Sequence, residues 1–263
     1  MANKETFGIK PGLRVLVTAG AAGIGRVVAD AFAAAGAKIH VCDVVPAVLD
    51  ACKKDHPDWG VTLCDVSKPD QVEKLFADVK KHLGGLDVLV NNAGIGGPTG
   101  GVDKIKVEEW MQTIDINLNG QFLCAHHAVP LLRENAQNSS IICISSVAGR
   151  LGYALRTPYA ATKWAIVGFM KSLAQELGPE GIRCNAILPG IVEGPRMTNV
   201  IKNRAAATNV SYEDMEKQYL NKISLRRMVS PQDVANMALY LCSPLGRNVT
   251  GQPISVCGDV VSL

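Results

Sequence analysis

The chain has 263 residues, of which 48% are hydrophobic and 19% charged, and its formal net charge at pH 7 is +3. A chain of this length can bury one large α/β core, and no apolar run reaches the ~18 residues that a membrane helix needs. Acidic and basic residues are interspersed without a basic block, so we expect neither nucleic acid nor a membrane among the partners.

The N-terminal residues and the cysteines bear on the cellular compartment and on metal binding. Residues 1–12 contain no apolar stretch of the signal-peptide type. The eight cysteines are scattered without a C-x-x-C pair, and the five histidines show no ligand spacing with them. We therefore expect a cytoplasmic protein with reduced thiols and no metal site.

The first predicted elements are a strand, a glycine-rich turn, a helix and a second strand. Strand Leu13–Val17 runs into the turn, and strand Lys38–Cys42 follows a helix that ends near Gly36. Glycines let the backbone approach a pyrophosphate, and the helix N-terminus offers free N–H groups. The pattern predicts a dinucleotide site. Its turn residues are Thr18, Gly20, Gly23, Ile24 and Gly25.

The second strand ends in Asp43, which follows Gly23 by 20 residues. A carboxylate at this position can accept hydrogen bonds from a ribose diol and repels a 2′-phosphate. Val44 and Val45 come next and are not basic, while Arg26 is the only nearby cation and is assigned to the helix surface. The sequence therefore predicts NAD in preference to NADP.

Strands and helices continue to alternate along the chain. Further strands are predicted at Val61–Cys64, Leu86–Val90, Ile141–Ile144, Ile182–Leu188 and Ile254–Val256. Further helices are predicted at Gln71–Leu83, Trp110–Leu132, Pro158–Leu177 and Gln232–Leu241. This alternation predicts an α/β fold with a Rossmann-like, doubly wound parallel sheet of about seven strands and helices on both faces. No linker or repeat divides the chain, so residues 1–263 are interpreted as a single dinucleotide-binding and catalytic domain.

Tyr159 and Lys163 lie one helical turn apart on the helix after the fifth strand. A phenol with an unperturbed pKa of ~10 is a poor base at neutral pH, and a nearby ammonium lowers that pKa. With Ser146 at the end of the preceding strand, the three residues form a plausible proton-transfer device. Taken alone, Tyr-x-x-x-Lys is also typical of an amphipathic helix with a solvated lysine.

Residues 191–223 interrupt the alternation and show a helical pattern only in their later half. A connection of this length at the ligand edge of a sheet is typical of a substrate lid, although a plain surface excursion has the same features. The basic residues that we note in this segment are Arg196, Lys202 and Arg204.

In combination these features resemble the short-chain dehydrogenase/reductase family of the single-domain type, over about residues 11–258. The motifs that carry the resemblance occur in the family's order. They are the turn at 18–25, Asn91-Asn92-Ala93-Gly94, Asn117, Ser146, Tyr159-x-x-x-Lys163 and Pro189-Gly190. Ser146 is preferred to Ser145 because its spacing to Tyr159 is that of the family.

The resemblance implies the roles of the site residues. Tyr159 exchanges a proton with the substrate oxygen, and Lys163 lowers the pKa of the tyrosine and holds the cofactor ribose. Ser146 hydrogen-bonds the substrate oxygen, and Asn117 holds a water that continues the proton path. Cofactor contacts beyond the turn are implied for Asp65, Val66, Asn91, Ala93, Gly94, Pro189, Gly190 and Val192. A homotetramer is implied as well, built through 107–135, 158–178 and the C-terminal segment.

The sequence departs from the family pattern at two points. Ala19 replaces the first glycine of the turn, which costs about 1 kcal/mol if that position needs φ > 0; we expect a small adjustment and not a loss of binding. A threonine that commonly follows Pro-Gly is replaced by Gly194, and Thr198 is the nearest hydroxyl that could substitute for it.

The predicted function is an NAD(H)-dependent oxidoreductase that interconverts a secondary alcohol and a carbonyl on a small polar substrate. A charged substrate end could be held by an arginine; solvated arginines or subunit contacts explain the same residues equally well. The substrate candidates are Arg150, Tyr153, Arg156 and Arg196. Two alternatives stay open. One is a catalytically silent dinucleotide sensor, and the other is an epimerase or dehydratase relative. Epimerases and dehydratases of this kind usually have a longer C-terminal substrate domain. An enoyl reductase relative would place its lysine farther from the tyrosine than four positions.

Overall fold

A computed structural model describes residues 8–263, apart from the side chains of Asn203 and Ala207. Residues 1–7, which the single-domain prediction includes, lie outside this range. Seven parallel strands form one sheet in the order β3-β2-β1-β4-β5-β6-β7. In chain order the strands β1 to β7 are Arg14–Thr18, Lys38–Asp43, Gly60–Leu63, Val88–Asn91, Ser140–Ile144, Arg183–Pro189 and Pro253–Val256.

Helices cover both faces of the sheet. In chain order α1 to α9 are Gly23–Ala34, Pro46–Asp55, Pro69–Leu83, Val107–Ile114, Gly120–Arg133, Thr157–Leu177, Pro195–Thr208, Tyr212–Asn221 and Pro231–Cys242. Within the described part of the chain, none of these helices is long and apolar enough to cross a membrane. The predicted Rossmann-like, doubly wound fold is confirmed.

The strands supply apolar side chains to two cores because successive residues of a strand point to opposite faces. In β1, Leu16 packs with α3, α5 and α6 on one face, while Val15 and Val17 pack with α1 and α9 on the other. Strands buried on both faces are what a parallel sheet requires. The strand order reverses between β1 and β4, and ligands of such sheets bind outside the carboxyl ends at this point.

The predicted helix Trp110–Leu132 is not continuous. It consists of α4 and α5 with a π-helical turn, Asp115–Asn119, between them. Asn117 sits in that turn, fully buried, and its side chain bonds the backbone of Ile95. Hydrophobic periodicity did not show the break, because the interruption depends on this contact with a distant loop.

Two further helices differ from the prediction. Helix α2 was not predicted, because it buries only Leu49 and Cys52 and has little apolar periodicity. In the segment 191–223 helix was predicted only in the later half, whereas α7 already begins at Pro195. Helix α7 ends at Thr208, its C-cap Asn209 adopts φ +53°, and Ser211 then caps α8.

A third, smaller apolar cluster holds α7 and α8 against the loops at the carboxyl edge of the sheet. Ile201 of α7 and Met215 of α8 are buried in it with Val147 and Ile191. The two helices therefore stand beside the strand ends where the candidate site residues were predicted.

Candidate active site

The glycine turn between β1 and α1 is tightly braced. Ala19 adopts φ +47°, so the position does have the left-handed conformation that the family's glycine would favour. The side-chain amide of Asn92 donates to the carbonyl oxygens of Thr18 and Ala19, at 3.0 and 3.1 Å. A Cβ on Gly25 would lie 2.2 Å from the Ala19 oxygen, and one on Gly20 2.6 Å from the Val17 oxygen.

The N-terminus of α1 is free to bind an anion. Its N-cap residue, Ala22, makes no side-chain cap, and the first turn contains no acidic residue. Gly23 has φ +56°, and a Cβ there would meet no atom within 4 Å, so no other residue crowds the first position of the helix. Free N–H groups at a positive dipole end suit a pyrophosphate. Ile24, in the same first turn, is half-buried.

Thr18, predicted as a cofactor-binding residue, makes hydrogen bonds within the protein. Its hydroxyl oxygen accepts hydrogen bonds from the backbone N–H groups of Asn92 and Ala93, both at 2.9 Å. It therefore ties the end of β1 to the segment after β4. Asn91 is buried as well, and its amide donates to the carbonyl of Gln121 on α5 at 3.0 Å.

Two carboxylates stand at the neighbouring strand ends. Asp43 is 9% exposed, and one of its oxygens accepts from the N–H groups of Val44 and Val45 at 2.8 and 3.2 Å. Asp65 accepts from the N–H and the hydroxyl of Ser67. In each case the second carboxylate oxygen has no hydrogen bond within the described residues. The adjacent Val66 is buried and packs so closely on Gly120 that a Cβ there would meet it at 2.7 Å.

The residues after β6 pack against the last strand. Pro189 pairs with Val256, and the N–H of Gly190 donates to the Val256 carbonyl at 2.9 Å. Val192 forms an isolated parallel bridge with Val229. Thr198, proposed as a substitute hydroxyl, donates to the carbonyl of Gly194 at 3.2 Å.

The predicted proton-transfer residues come together at the carboxyl end of β5. Lys163 is 4% exposed, its Nζ lies 5.6 Å from the centre of the Tyr159 ring, and it donates to the Ile144 carbonyl at 3.0 Å. An ammonium has three donors, so two remain. Ser146 is 8% exposed, its Oγ accepts from the N–H of Ala148 at 3.2 Å, and it lies beside the Tyr159 phenol. Ser145 instead donates to the Lys163 carbonyl at 2.8 Å.

Burial of Tyr159 opposes the phenolate, but its surroundings outweigh that effect. The Lys163 ammonium, the hydrogen bond with Ser146 and the guanidiniums of Arg196 and Arg156 together hold the pKa of Tyr159 below its ordinary value. Burial likewise disfavours the charged form of Lys163 and lowers its pKa. The lowered pKa of Tyr159 is what this phenol needs to act as a base near neutral pH.

Asn117 braces the π-helical turn against the rest of the site. Its oxygen accepts from the Ile95 N–H at 2.7 Å, and its amide donates to the Ile95 carbonyl at 3.0 Å and to the Thr162 hydroxyl at 3.1 Å. Thr162 in turn donates to the Tyr159 carbonyl at 2.8 Å. A Cβ on Gly94 would lie 3.1 Å from the Asn117 oxygen, so a larger residue would crowd the brace.

The four substrate candidates divide into two groups. The guanidinium carbon of Arg156 lies 5.4 Å from the ring centres of both Tyr153 and Tyr159, and Arg196 reaches the same loop beside Gly96. Arg150 points elsewhere, because it donates to the hydroxyl of Ser255 on the edge strand β7 at 2.9 Å. The structure therefore does not bring Arg150 together with the other three.

Sequence reasoning missed two bracing residues. Asn92 holds the glycine turn, and the Asn91-Asn92 doublet was the signal available for it. Thr162 links Asn117 to the backbone of Tyr159, and no local pattern marks it. Within residues 8–263, no group of three or more His, Cys, Asp or Glu side chains is placed to hold a metal ion.

Comparison with known proteins agrees with this geometry. A family model described as enoyl-(acyl carrier protein) reductase matches residues 19–258. A 3β-hydroxysteroid dehydrogenase of Mediterraneibacter gnavus is 33% identical over 258 residues, which cover 93% of each chain.

Solved structures show the same similarity. A single-residue variant of actinorhodin polyketide ketoreductase, with NADPH, superposes with a TM-score of 0.89 at 31% identity, covering 98% of each chain. A 7α-hydroxysteroid dehydrogenase complexed with NADH and 7-oxo glycochenodeoxycholic acid gives a TM-score of 0.88 at 28% identity, covering 100% of this chain and 99% of that one. The first of these structures holds NADPH and the second holds NADH.

Proposed function

The chain belongs to the short-chain dehydrogenase/reductase family, whose members act on CH–OH groups, and from this premise we propose an NAD(H)-dependent oxidoreductase that interconverts a secondary alcohol and a carbonyl on a small polar substrate. The observation that carries the proposal is the buried Lys163 ammonium beside Tyr159, with Ser146 next to the same phenol. A structural lysine would be expected to reach solvent or a carboxylate.

In the proposed mechanism the substrate oxygen lies between the Ser146 hydroxyl and the Tyr159 phenol. In the oxidative direction Tyr159, as phenolate, takes the proton of the carbinol, and in the reductive direction it returns that proton. Ser146 hydrogen-bonds the oxygen while negative charge develops on it, which stabilises the transition state. Lys163 keeps the phenolate form accessible at neutral pH. Asn117 and Thr162 hold the backbone of this region in position.

A nicotinamide dinucleotide supplies the hydride acceptor or donor when bound. The open N-terminus of α1, the free oxygen of Asp43 and the two remaining donors of Lys163 fit its pyrophosphate and ribose groups. Asp65, Val66, Ala93, Gly94, Gly190 and Val192 are proposed to complete that site.

Asp43 supports NAD over NADP. Its carboxylate stands at the end of β2, where a ribose 2′-phosphate would meet negative charge. Val44 and Val45, which follow it, are 60% and 46% exposed and offer no cation to offset that repulsion.

The test is absorbance at 340 nm with NAD or NADP, using a panel of secondary alcohols, polyols, hydroxy acids and sulfonated alcohols. Wild type is expected to reduce NAD, and Tyr159→Phe to lose at least about 100-fold in rate, as expected for removal of a general acid–base group. Tyr240→Phe, on α9 and outside the proposed lid, serves as the matched control. Full activity of Tyr159→Phe would contradict the mechanism, and turnover with NADP alone would contradict the role of Asp43.

We also propose a homotetramer and, from the scattered cysteines, a cytoplasmic location. Large apolar side chains on α4, α5 and α6 support the assembly. Met111, Phe122 and Trp164 are 50%, 52% and 52% exposed, on the helices that the family resemblance assigns to subunit contacts. The segment 191–223 is proposed to act as the substrate lid.

A further inference from the structure

The substrate side of Tyr159 faces a group of cations and tyrosines, which we call the basic-aromatic cluster. Its residues come from the loop before α6, from α7, and from α8 and its C-cap. The cluster consists of Tyr153, Arg156, Arg196, Arg204, Tyr219 and Lys222.

Arg156 forms the inner part of the cluster. Its guanidinium lies between Tyr153 and Tyr159, with its carbon 5.4 Å from each ring centre. One Nη donates to the Gly96 carbonyl at 2.6 Å, while the buried Nε has no hydrogen-bond partner. Arg196 approaches the same loop, because a Cβ on Gly96 would lie 3.1 Å from its Nη2. A buried N–H donor without a partner is costly, so this geometry favours an acceptor that the protein does not supply.

Arg204 and Lys222 form the outer part, around Tyr219. Arg204 donates to the Tyr219 hydroxyl at 3.3 Å, and both cations lie 5.7 Å from the centre of that ring. Tyr219 is 5% exposed, so its orientation is held by packing. Tyr153 lies beside both parts: the Arg156 guanidinium carbon is 5.4 Å from its ring centre, and Tyr219 and Arg204 are near enough to affect a pKa that burial raises.

The cluster carries no compensating negative charge. Among the described residues, no carboxylate lies within 4.0 Å of any of its four cations, whereas Arg14, Arg26 and Arg133 elsewhere are each paired with an acid. Burial, and then repulsion from Arg204, lower the pKa of Lys222. Cations held this close together without a carboxylate repel one another, and a bound anion would remove that repulsion.

We propose that the basic-aromatic cluster is an anion subsite and that the substrate is a small hydroxy compound bearing a sulfonate, phosphate or carboxylate group close to its carbinol. This inference rests on the proposed function for the carbinol chemistry. The anion is placed near the carbinol because the Arg156 guanidinium lies so close to the Tyr159 ring. Planar guanidiniums bind such oxyanions through paired N–H donors, which neutral alcohols cannot match.

Kinetics with matched substrates test the subsite. Secondary alcohols of equal length, with and without a terminal sulfonate, phosphate or carboxylate, are compared for wild type and for Arg204→Gln and Lys222→Gln. These positions belong to the outer part of the cluster, and their described contacts are with Tyr219. For the anionic members kcat/KM is expected to fall at least about tenfold, chiefly through KM, as for loss of a charge-assisted contact. For the neutral members it is expected to change little. Arg247→Gln, an exposed arginine after α9, is the matched control.

A binding measurement separates failure of the subsite from failure of the proposed function. Relative to sodium chloride of equal ionic strength, sodium sulfate is expected to raise the Tm of wild type more than that of the two cluster variants, because the general stabilising effect of sulfate acts on all three proteins. A larger sulfate stabilisation of wild type than of the variants, without turnover of any alcohol, would support the subsite and count against the proposed function. Equal turnover of charged and neutral alcohols, unchanged in the variants, would overturn the subsite and leave the proposed function standing. A sulfate effect that is absent from wild type, or equal in wild type and variants, would also overturn the subsite.

Discussion

At the residue scale the glycine turn shows how a departure from the family pattern is tolerated. Ala19 adopts φ +47°, which costs a residue with a Cβ about 1–2 kcal/mol. Asn92 offsets this strain by bonding the carbonyls of Thr18 and Ala19, so the turn keeps its shape. The same closeness leaves no room for a side chain at Gly25, where a Cβ would lie 2.5 Å from the Asn92 amide nitrogen.

Gly25→Ala is therefore expected to weaken dinucleotide binding. The added methyl would displace backbone and the Asn92 brace, distorting the turn that faces the pyrophosphate. We expect a Kd for NAD at least about tenfold higher, ~1.4 kcal/mol, by isothermal titration calorimetry. Gly178→Ala is the control, because its Cβ would meet nothing within 4 Å. Equal affinity of wild type and Gly25→Ala would contradict the account of the turn.

At the element scale β2, β3 and α3 are joined by a buried polar chain. The His40 ring nitrogen Nε2 lies 2.9 Å from the Thr62 hydroxyl, which donates to Asp78 at 3.0 Å. Since the Thr62 proton goes to Asp78, Nε2 carries the proton, and Nδ1 is the bare nitrogen, buried without a partner. Burial lowers the pKa of His40 to about 4. The hydrogen-bond chain between these elements therefore requires His40 to be neutral.

This hydrogen-bond chain predicts that the free energy of unfolding falls at acid pH. The folded pKa is below the unfolded value of ~6.5, so between these values the unfolded chain binds a proton that the folded chain excludes. Stability is therefore lost as pH falls from 6.5 towards 4. His40 is expected to contribute about 2 kcal/mol to the loss of unfolding free energy between pH 7.5 and 5. Urea unfolding at the two pH values measures this loss.

Comparison of variants isolates the contribution of His40. His40→Gln keeps a donor for Thr62 but does not titrate, so its unfolding free energy is expected to fall by about 2 kcal/mol less over the same interval. The exposed His126→Gln is expected to behave like wild type. If His40→Gln lost as much stability as wild type, the pH effect would belong to other groups.

At the scale of the whole molecule, the proposed site and the proposed subunit contacts occupy different parts of the fold. The strand ends of the sheet carry the residues proposed for cofactor binding and proton transfer, and α7 and α8 lie beside them, held by a small apolar cluster of their own. The outer faces of α4, α5 and α6 expose large apolar side chains. Such exposed side chains on neighbouring helices are typical of an interface between subunits.

Phe122→Glu is expected to break the proposed tetramer into smaller species, because a carboxylate would be buried in an apolar contact. Light scattering coupled to size-exclusion chromatography measures the mass. Leu63→Glu is the control, as Leu63 is 54% exposed on the edge strand β3, away from these helices. A wild-type monomer, or an unchanged mass for Phe122→Glu, would contradict the assembly through α5.

Much of the fold could be predicted from the chain because the signals are local. Strand ends showed as apolar runs that stop at Asp43, Asn91 and Ser146, and parallel topology then brings such ends to one edge. Tyr159 and Lys163 share a helix face by their spacing alone. These inferences needed only periodicity, strand polarity and helix geometry.

Tertiary contacts decided the rest, because those features join residues far apart in the chain. The π-helical turn at Asn117 depends on the Ile95 backbone, 22 positions away. Arg150 and Arg156 stand six positions apart, yet one bonds Ser255 and the other lies over Tyr159. Local sequence determined where the chemistry lies in this protein, but packing between distant segments decided which cations surround it.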